Sequence, residues 1–177
     1  MIQGRRVGVV IPARDEESHI EGVLVHLPET VDLAVVVNDG SVDRTSEAAR
    51  LAKAPCEVVV IDGNGDGVGA AIDRGHQHLL SCWDGPFISV VMAGDGQMNP
   101  DDMETLVQPI LNGAADHVKG NRCLHPEGLN RMPKLRQRAT AVLSLFTTLA
   151  AGQPFGDPQC GYTALSLIHI SEPTRQP

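Results

Sequence analysis

The sequence has no apolar run approaching the ~18 residues that would suggest a bilayer-spanning helix, so any membrane contact of the 177-residue chain is expected to be peripheral. It shows no cationic stretch followed by an apolar core and a cleavage site, which excludes a visible signal peptide. Its four cysteines, Cys56, Cys82, Cys123 and Cys160, form neither a CxxC pair nor a zinc-finger spacing, and reduced thiols of a cytosolic protein are the simplest reading. His76 and His78 precede Cys82, but two residues apart on a helix they face nearly opposite ways, which argues against a metal site there. Cations are in deficit too. The formal charge of −8 opposes general binding to nucleic acid, whose phosphates attract surfaces dense in Lys and Arg.

What is present is an ordinary globular composition, 42% apolar and 20% charged, at a length that fits one α/β domain with no linker or repeat dividing it. The charge is uneven. Lys119, Arg122, Arg131, Lys134, Arg136 and Arg138 fall between Lys119 and Ala151 against a single acid, Glu127. Such a zone suits a defined anionic ligand or a membrane surface, and equally a solvated helix face.

Short β-branched runs near 6–12, 33–38, 57–62, 87–93 and 116–120 alternate with helical patterns near 16–27, 43–54, 68–81 and 100–112. This is the βαβ rhythm of a mostly parallel sheet, whose ligands bind beyond the carboxyl ends of the strands. Asn99, followed by Pro100, Asp101 and Asp102, reads as a helix start. Leu135, Ala139, Val142, Leu143, Phe146 and Leu149 recur at helical spacing after Pro133 and before Gly152, with Lys134, Arg136 and Arg138 crowding the first turns. Leu165 to Arg175 (LSLIHISEPTR) matches the translation of a transposase adapter used in sequencing-library preparation. Residues 165–177 are therefore expected to be a non-native tail, and residues 1–164 the N-terminal portion of a longer catalytic domain, inactive as a fragment.

The strand ends carry the chemistry. VVIPARDEE (Val9 to Glu17) closes the first strand and VVVNDGSVDRT (Val35 to Thr45) the second, where Asp39 can accept hydrogen bonds from a base or ribose or, with Ser41, merely cap a helix. The loop DGNGDGVG (Asp62 to Gly69) permits backbone approach to a diphosphate. Its spacing is neither GxGxxG nor a P-loop, which counts against an oxidoreductase or a P-loop NTPase. Arg74, on the following helix, meets either a phosphate or water. In SVVMAGDGQMNPDD, Asp95 and Gln97 can offer oxygens to Mg2+ or Mn2+, although Asp95 is equally a turn former.

VIPARDEE, NDGSVDRT, the GVGAA helix start, MAGDGQ, KGNR and DPQCGYTA, in that order from about Val7 to Ala164, resemble inverting family 2 glycosyltransferases of the GT-A fold. The branch most alike transfers mannose or glucose to dolichyl or polyprenyl phosphate. The resemblance implies a Rossmann-like, mostly parallel sheet flanked by helices, incomplete at the C-terminus. It implies a nucleoside-diphosphate sugar donor (GDP-mannose or a UDP-hexose), with Pro12, Ala13, Glu16, Asp39, Gly69 and Arg74 in its pocket. Asp95 and Gln97 would hold the metal, Mg2+ or Mn2+, with Ala93 standing where the family's first metal-binding Asp would be. Asp95, Arg122, Asp157 and Gln159 would serve catalysis, and Arg122, Arg131 and Arg136 the acceptor phosphate. The helix after Arg131 would lie at the membrane interface, on the cytoplasmic face. A soluble acceptor and a noncatalytic nucleotide-sugar-binding module are the alternatives.

Overall fold

The computed structural model describes residues 2, 4–121, 134–152, 156–157 and 159–167. Six strands form one sheet: β1 (Arg6–Ala13), β2 (Leu33–Asn38), β3 (Glu57–Asp62), β4 (Phe87–Val91), β5 (His117–Lys119) and β6 (Thr163–Ser166), in the order β3-β2-β1-β4-β6-β5. β1 runs parallel to β2 and to β4, and β2 parallel to β3, whereas β6 is antiparallel to β4. The helices are α1 (Ile20–Val25), α2 (Thr45–Leu51), α3 (Val68–Cys82), α4 (Met103–Leu111), entered through a 3-10 turn at Pro100–Asp102, and α5 (Lys134–Ala151). The sheet is flanked by helices and parallel from β1 to β4, as the alternating pattern predicts, and becomes mixed where β6 joins antiparallel to β4.

β1, β2 and β4 are buried along nearly their whole length, which is why they read as continuous apolar runs rather than alternations. β3, at the sheet's edge, is half-exposed. Between β2 and β4, β1 is the point where the strand order reverses. The crevice beyond the carboxyl ends at such a point is where open α/β sheets take their ligands. α3 packs on β1 and β2 at close range because Gly75 faces Val10 and Gly8 faces Leu79, where a side chain on either glycine would collide.

Two boundaries differ from the sequence pattern for identifiable reasons. α1 begins at Ile20 rather than near residue 16, because the amides of Asp15, Glu16 and Glu17 donate to side chains of the loop after β2 instead of starting a helix. β6 continues past Ala164: Leu165 pairs with Ser89 and Ser166 with Ile88, and Leu167 is buried. Such pairing uses main-chain groups that every non-proline residue supplies, so the stretch completes the sheet whatever its origin.

The chain clusters into two compact units, Met1–Val118 with Tyr162–Pro177, and Lys119–Gly161. The second contains α5, which ends where Gly152 adopts φ +68°. Its expected apolar stripe is open rather than packed: Val142 is 56% exposed, Phe146 64% and Leu149 72%. No helix among the described residues is long and apolar enough to cross a membrane.

At the end of β3, Asp62 accepts hydrogen bonds from Ser46 Oγ (2.6 Å), Arg50 Nη2 (2.8 Å) and Asn38 Nδ2 (3.0 Å), tying α2 and β2 to β3. These donors pull its pKa from 3.8 down to about 2. A folded-state value below the unfolded one means that the stabilisation is whole above the ordinary value and is lost as pH falls toward the folded one. The Tm of the wild type is therefore expected to exceed that of Asp62→Asn at pH 7, with the gap closing between about pH 4 and pH 2. Thermal scans of both proteins across that range check this.

Candidate functional site

The carboxyl ends of β1, β2 and β4 meet through main-chain bonds. Ala13 O accepts from Asp39 N (2.9 Å), and Pro12 O from Gly94 N (3.3 Å). Pro12 and Ala13 therefore sit between the two turns that carry the acids Asp39 and Asp95. Gly94 packs closely against Ala13 and Ile20, where a Cβ would be a tight fit.

Asp39 is 4% exposed. Its Oδ2 accepts from Gly67 N at 2.8 Å, and its Oδ1 is buried without a partner. The helix-capping alternative does not hold: α2 begins at Thr45 with no side-chain cap, and Ser41 instead donates to Asn38 Oδ1 and accepts from Asp15 N. Arg74, on α3, pairs with Asp66 through Nη2, while its Nη1 is likewise buried without a partner. Gly63 links the two. A Cβ built there would lie 2.7 Å from Arg74 Nη1 and 3.4 Å from Asp39 Oδ1. A buried acceptor and a buried donor, both unsatisfied, thus flank Gly63, a position too tight for any side chain. Each such group costs about 1–3 kcal/mol until something pairs with it.

The glycine loop supports this arrangement. Gly65 (φ +81°) and Gly67 (φ +96°) carry the chain through conformations closed to most side chains, bringing Gly67 N onto Asp39. No side chain caps the 15-residue α3, so its first-turn amides are left for water or an anion, and no atom outside the helix lies within 4 Å of a Cβ at Gly69.

Asp95 is half-buried in a turn, its Oδ1 accepting from Gln97 N at 3.0 Å, and Gln97 is exposed. Among the described residues no group of three His, Cys, Asp or Glu side chains is placed to hold a metal. Ala93 adds no oxygen: its amide meets Met98 Sδ at 3.3 Å. One carboxylate and one amide fit a divalent cation that takes most of its oxygens from a bound diphosphate and water, the usual habit of Mg2+.

In the second unit, Asp157 is buried and its Oδ1 accepts from Gln159 N at 3.2 Å, while Gln159 is exposed. Arg122 and Arg131 lie outside the described residues, and Arg136 belongs to α5. The first unit therefore sets Pro12, Ala13, Asp39 and Asp95 at the ends of neighbouring strands, with Gly69 and Arg74 on the helix whose start meets Asp39.

Sequence reasoning missed the clasp between the first two loops. Val42 N donates to Asp15 Oδ1 (2.8 Å), Glu16 N to Thr45 Oγ1 (2.8 Å), Glu17 N to Asp43 Oδ2 (3.0 Å) and Arg44 N to Glu17 Oε2 (3.2 Å). Asp43 Oδ1 also accepts from Thr45 N and Oγ1, and these bonds hold its carboxyl below the usual range. Asp15 takes φ +56° to make its contacts. The available signal was carboxylates following two successive strands. Glu16, expected at the nucleoside, turns its carboxylate to His19 Nδ1 (3.0 Å).

A mixed sheet whose strand order reverses at β1, with acids following β2 and β4, defines an α/β domain of the GT-A kind. The chain belongs to glycosyl transferase family 2, whose model matches residues 8–169. It is 34% identical over 159 residues to the uncharacterized protein MJ1222 of Methanocaldococcus jannaschii, covering 89% of this chain and 63% of that protein. It is 28% identical over 173 residues to the UDP-N-acetylglucosamine–dolichyl-phosphate N-acetylglucosaminyltransferase of Methanococcus voltae, covering 89% and 68%. Glucosyl-3-phosphoglycerate synthase from Mycobacterium tuberculosis, in complex with Mn2+, UDP and phosphoglyceric acid, superposes with TM-score 0.68 at 25% identity, covering 92% of this chain and 56% of that one. The chain thus spans roughly two thirds or less of these relatives.

Thr45 is fully buried, and its hydroxyl serves both Glu16 N and Asp43. Thr45→Val is expected to cost about 1–3 kcal/mol, the scale of buried polar groups left unpaired. Urea denaturation of the two proteins measures it, and a loss under about 0.5 kcal/mol, the range of ordinary surface changes, would contradict the clasp.

Proposed function

We propose that the protein transfers a hexose, with inversion, from a uridine-diphosphate sugar to a polyprenyl phosphate. The observation that carries the donor half is the pair of unsatisfied buried atoms at Asp39 and Arg74. Uracil presents one N–H between two carbonyls, which matches one free carboxylate oxygen beside one free guanidinium N–H. Guanine would ask for two acceptors, and Asp39 Oδ2 is already engaged by Gly67 N. Uridine is therefore favoured over guanosine. The M. voltae relative is named for a UDP-sugar, and the M. tuberculosis enzyme was solved with UDP.

In this reading the diphosphate lies toward the uncapped first turn of α3, near Gly69. A Mg2+ or Mn2+ ion held by Asp95 and Gln97 would supply charge neutralisation on the departing diphosphate, and the M. tuberculosis structure contains Mn2+. The acceptor oxygen attacks the anomeric carbon, the bond from that carbon to the β-phosphate oxygen breaks, and UDP leaves. A phosphate monoester with second pKa about 6 is already largely ionised at neutral pH, so no general base is required. Arg122, Arg131 and Arg136 are assigned to the acceptor phosphate, and Asp157 and Gln159 to a turn on the acceptor side, with Asp157 fixing its shape.

A soluble phosphorylated acceptor is the second reading, since phosphoglyceric acid occupies the M. tuberculosis enzyme. The open apolar stripe of α5 favours the lipid: a helix with cations in its first turns and exposed Val142, Phe146 and Leu149 has the make-up of an interfacial helix. The M. voltae relative is named for dolichyl phosphate.

Two outcomes are expected. By calorimetry UDP binds more tightly than GDP, and Asp39→Ala weakens UDP binding by about 1–3 kcal/mol; equal affinities for the two nucleotides, or an unchanged mutant, would remove the cradle from the site. Each cation near an anionic surface contributes about 1 kcal/mol, so reversing Lys134, Arg136 and Arg138 to Glu sharply reduces co-sedimentation with phosphatidylserine vesicles. Equal sedimentation of both proteins, or none of either, would leave the soluble acceptor as the better reading.

A further inference from the structure

A cleft of about 360 Å3 opens between α1 and the segment following Asp95, sharing no lining residue with the Asp39–Arg74 cradle. His19 and His26 both line it, and their ring nitrogens are assignable from their partners. His19 Nδ1 lies 3.0 Å from Glu16 Oε2, and His26 Nδ1 2.7 Å from Gly22 O. A carboxylate and a carbonyl only accept, so these contacts favour the tautomer that donates from Nδ1 and leaves the lone pair on Nε2, with the Ser18 hydroxyl, 3.1 Å from His19 Nδ1, able to accept as well. Neither Nε2 has a partner among the described residues, and both side chains are exposed. Asp101 adds a carboxylate to the same wall, and Asn99, whose Oδ1 is taken by Asp101 N, keeps its amide donors. Gly22 leaves the middle open, since no atom lies within 4 Å of a Cβ built there, and Val23 and Met98 give the lining apolar surface.

This chemistry narrows the occupant. Two imidazoles seven residues apart stand about 10 Å from each other along a helix, too far to share a metal ion, and no group of three metal-binding side chains occurs among the described residues. An anion would face Asp101 and two lone pairs. A purely apolar ligand would strand those acceptors. The volume falls in the ~300–1,000 Å3 range of small-molecule sites. A neutral ligand rich in hydroxyl donors, with C–H faces for Val23 and Met98, satisfies every wall. We propose that this cleft is a saccharide-binding subsite, separate from the nucleotide cradle, in which His19 and His26 accept hydrogen bonds from sugar hydroxyls. The proposal stands independently of which nucleotide the cradle takes.

Gly22→Leu fills the cleft from an exposed helical position, and because leucine is the better helix former the variant is expected to melt no lower than the wild type. His26→Phe keeps the ring and removes the lone pair. Methyl α-D-glucopyranoside and N-acetyl-D-glucosamine serve as probes, by saturation-transfer NMR and titration of the intact chain. At least one is expected to bind the wild type in the millimolar range or tighter, roughly tenfold more weakly in Gly22→Leu and several-fold more weakly in His26→Phe, with UDP affinity unchanged in both variants. No binding of either probe to the wild type, equal binding to Gly22→Leu, or displacement of the sugar by equimolar ethylammonium, which would mark a cation site, each overturns the proposal.

Discussion

The ligand end of this sheet depends on how one buried carboxylate is held. Asp39 is fixed from two sides, its amide on Ala13 O at the end of β1 and its Oδ2 on Gly67 N at the start of α3. Burying a carboxylate costs several kcal/mol unless it is hydrogen-bonded or paired, and here only one oxygen is satisfied. The guanidinium of Arg74, with one buried nitrogen unsatisfied, borders the same space. The folded protein therefore carries two incomplete polar groups of complementary kind, both next to Gly63. A ligand edge that completes both recovers their desolvation penalty at binding. The cost is tolerated in the fold because it is local and because β1, β2 and β4 bury a largely apolar core.

Pre-organisation of that end comes from main-chain amides meeting side-chain oxygens more than from ion pairs. The Arg44–Glu17 pair, with side chains 75% and 37% exposed, contributes little in water. The four amide contacts from Val42, Glu16, Glu17 and Arg44 do more, since each fixes a backbone direction across two loops. They also explain the short α1: amides that would have opened a helix are committed to the neighbouring loop. A loop held this way pays little ordering entropy when a ligand arrives.

The fold was legible because its strands are buried on both faces, which turns composition into position: VGVVIP, LAVVV and FISVV have no other plausible home. Asp39 and Asp95 were legible because acids after parallel strands sit where ligands bind. The role of Arg74 was not, since a helical arginine reads the same whether its guanidinium is buried or in water. Nor was the role of Asp15, Glu17 and Asp43, because carboxylates that accept main-chain amides across a gap of 26 or 27 residues leave no periodic trace. The paired imidazoles of the α1 cleft were hidden for a similar reason. Their ring orientation follows contacts to Glu16 and to the carbonyl of Gly22, neither of which spacing alone identifies.

The two ends of the proposed reaction are built on opposite principles. The proposed donor site is buried and polar, so in this reading its selectivity would come from the unpaired groups of Asp39 and Arg74. At the end of β4, by contrast, Ala93 leaves Asp95 as the single nearby carboxylate. A cation held there by Asp95 and Gln97 would need further oxygens from a diphosphate and water, so its affinity would follow that of the nucleotide. The same economy applies on the acceptor side, where the exposed apolar stripe of α5 offers area without shape. Area without shape suits a lipid surface, whose chains adapt to any apolar face, and suits a compact phosphorylated metabolite poorly, because such a ligand needs directed donors. The contrast between a polar cradle with two defined vacancies and an open apolar helix is the physical reason to read the donor as a particular nucleotide and the acceptor as a class of lipid.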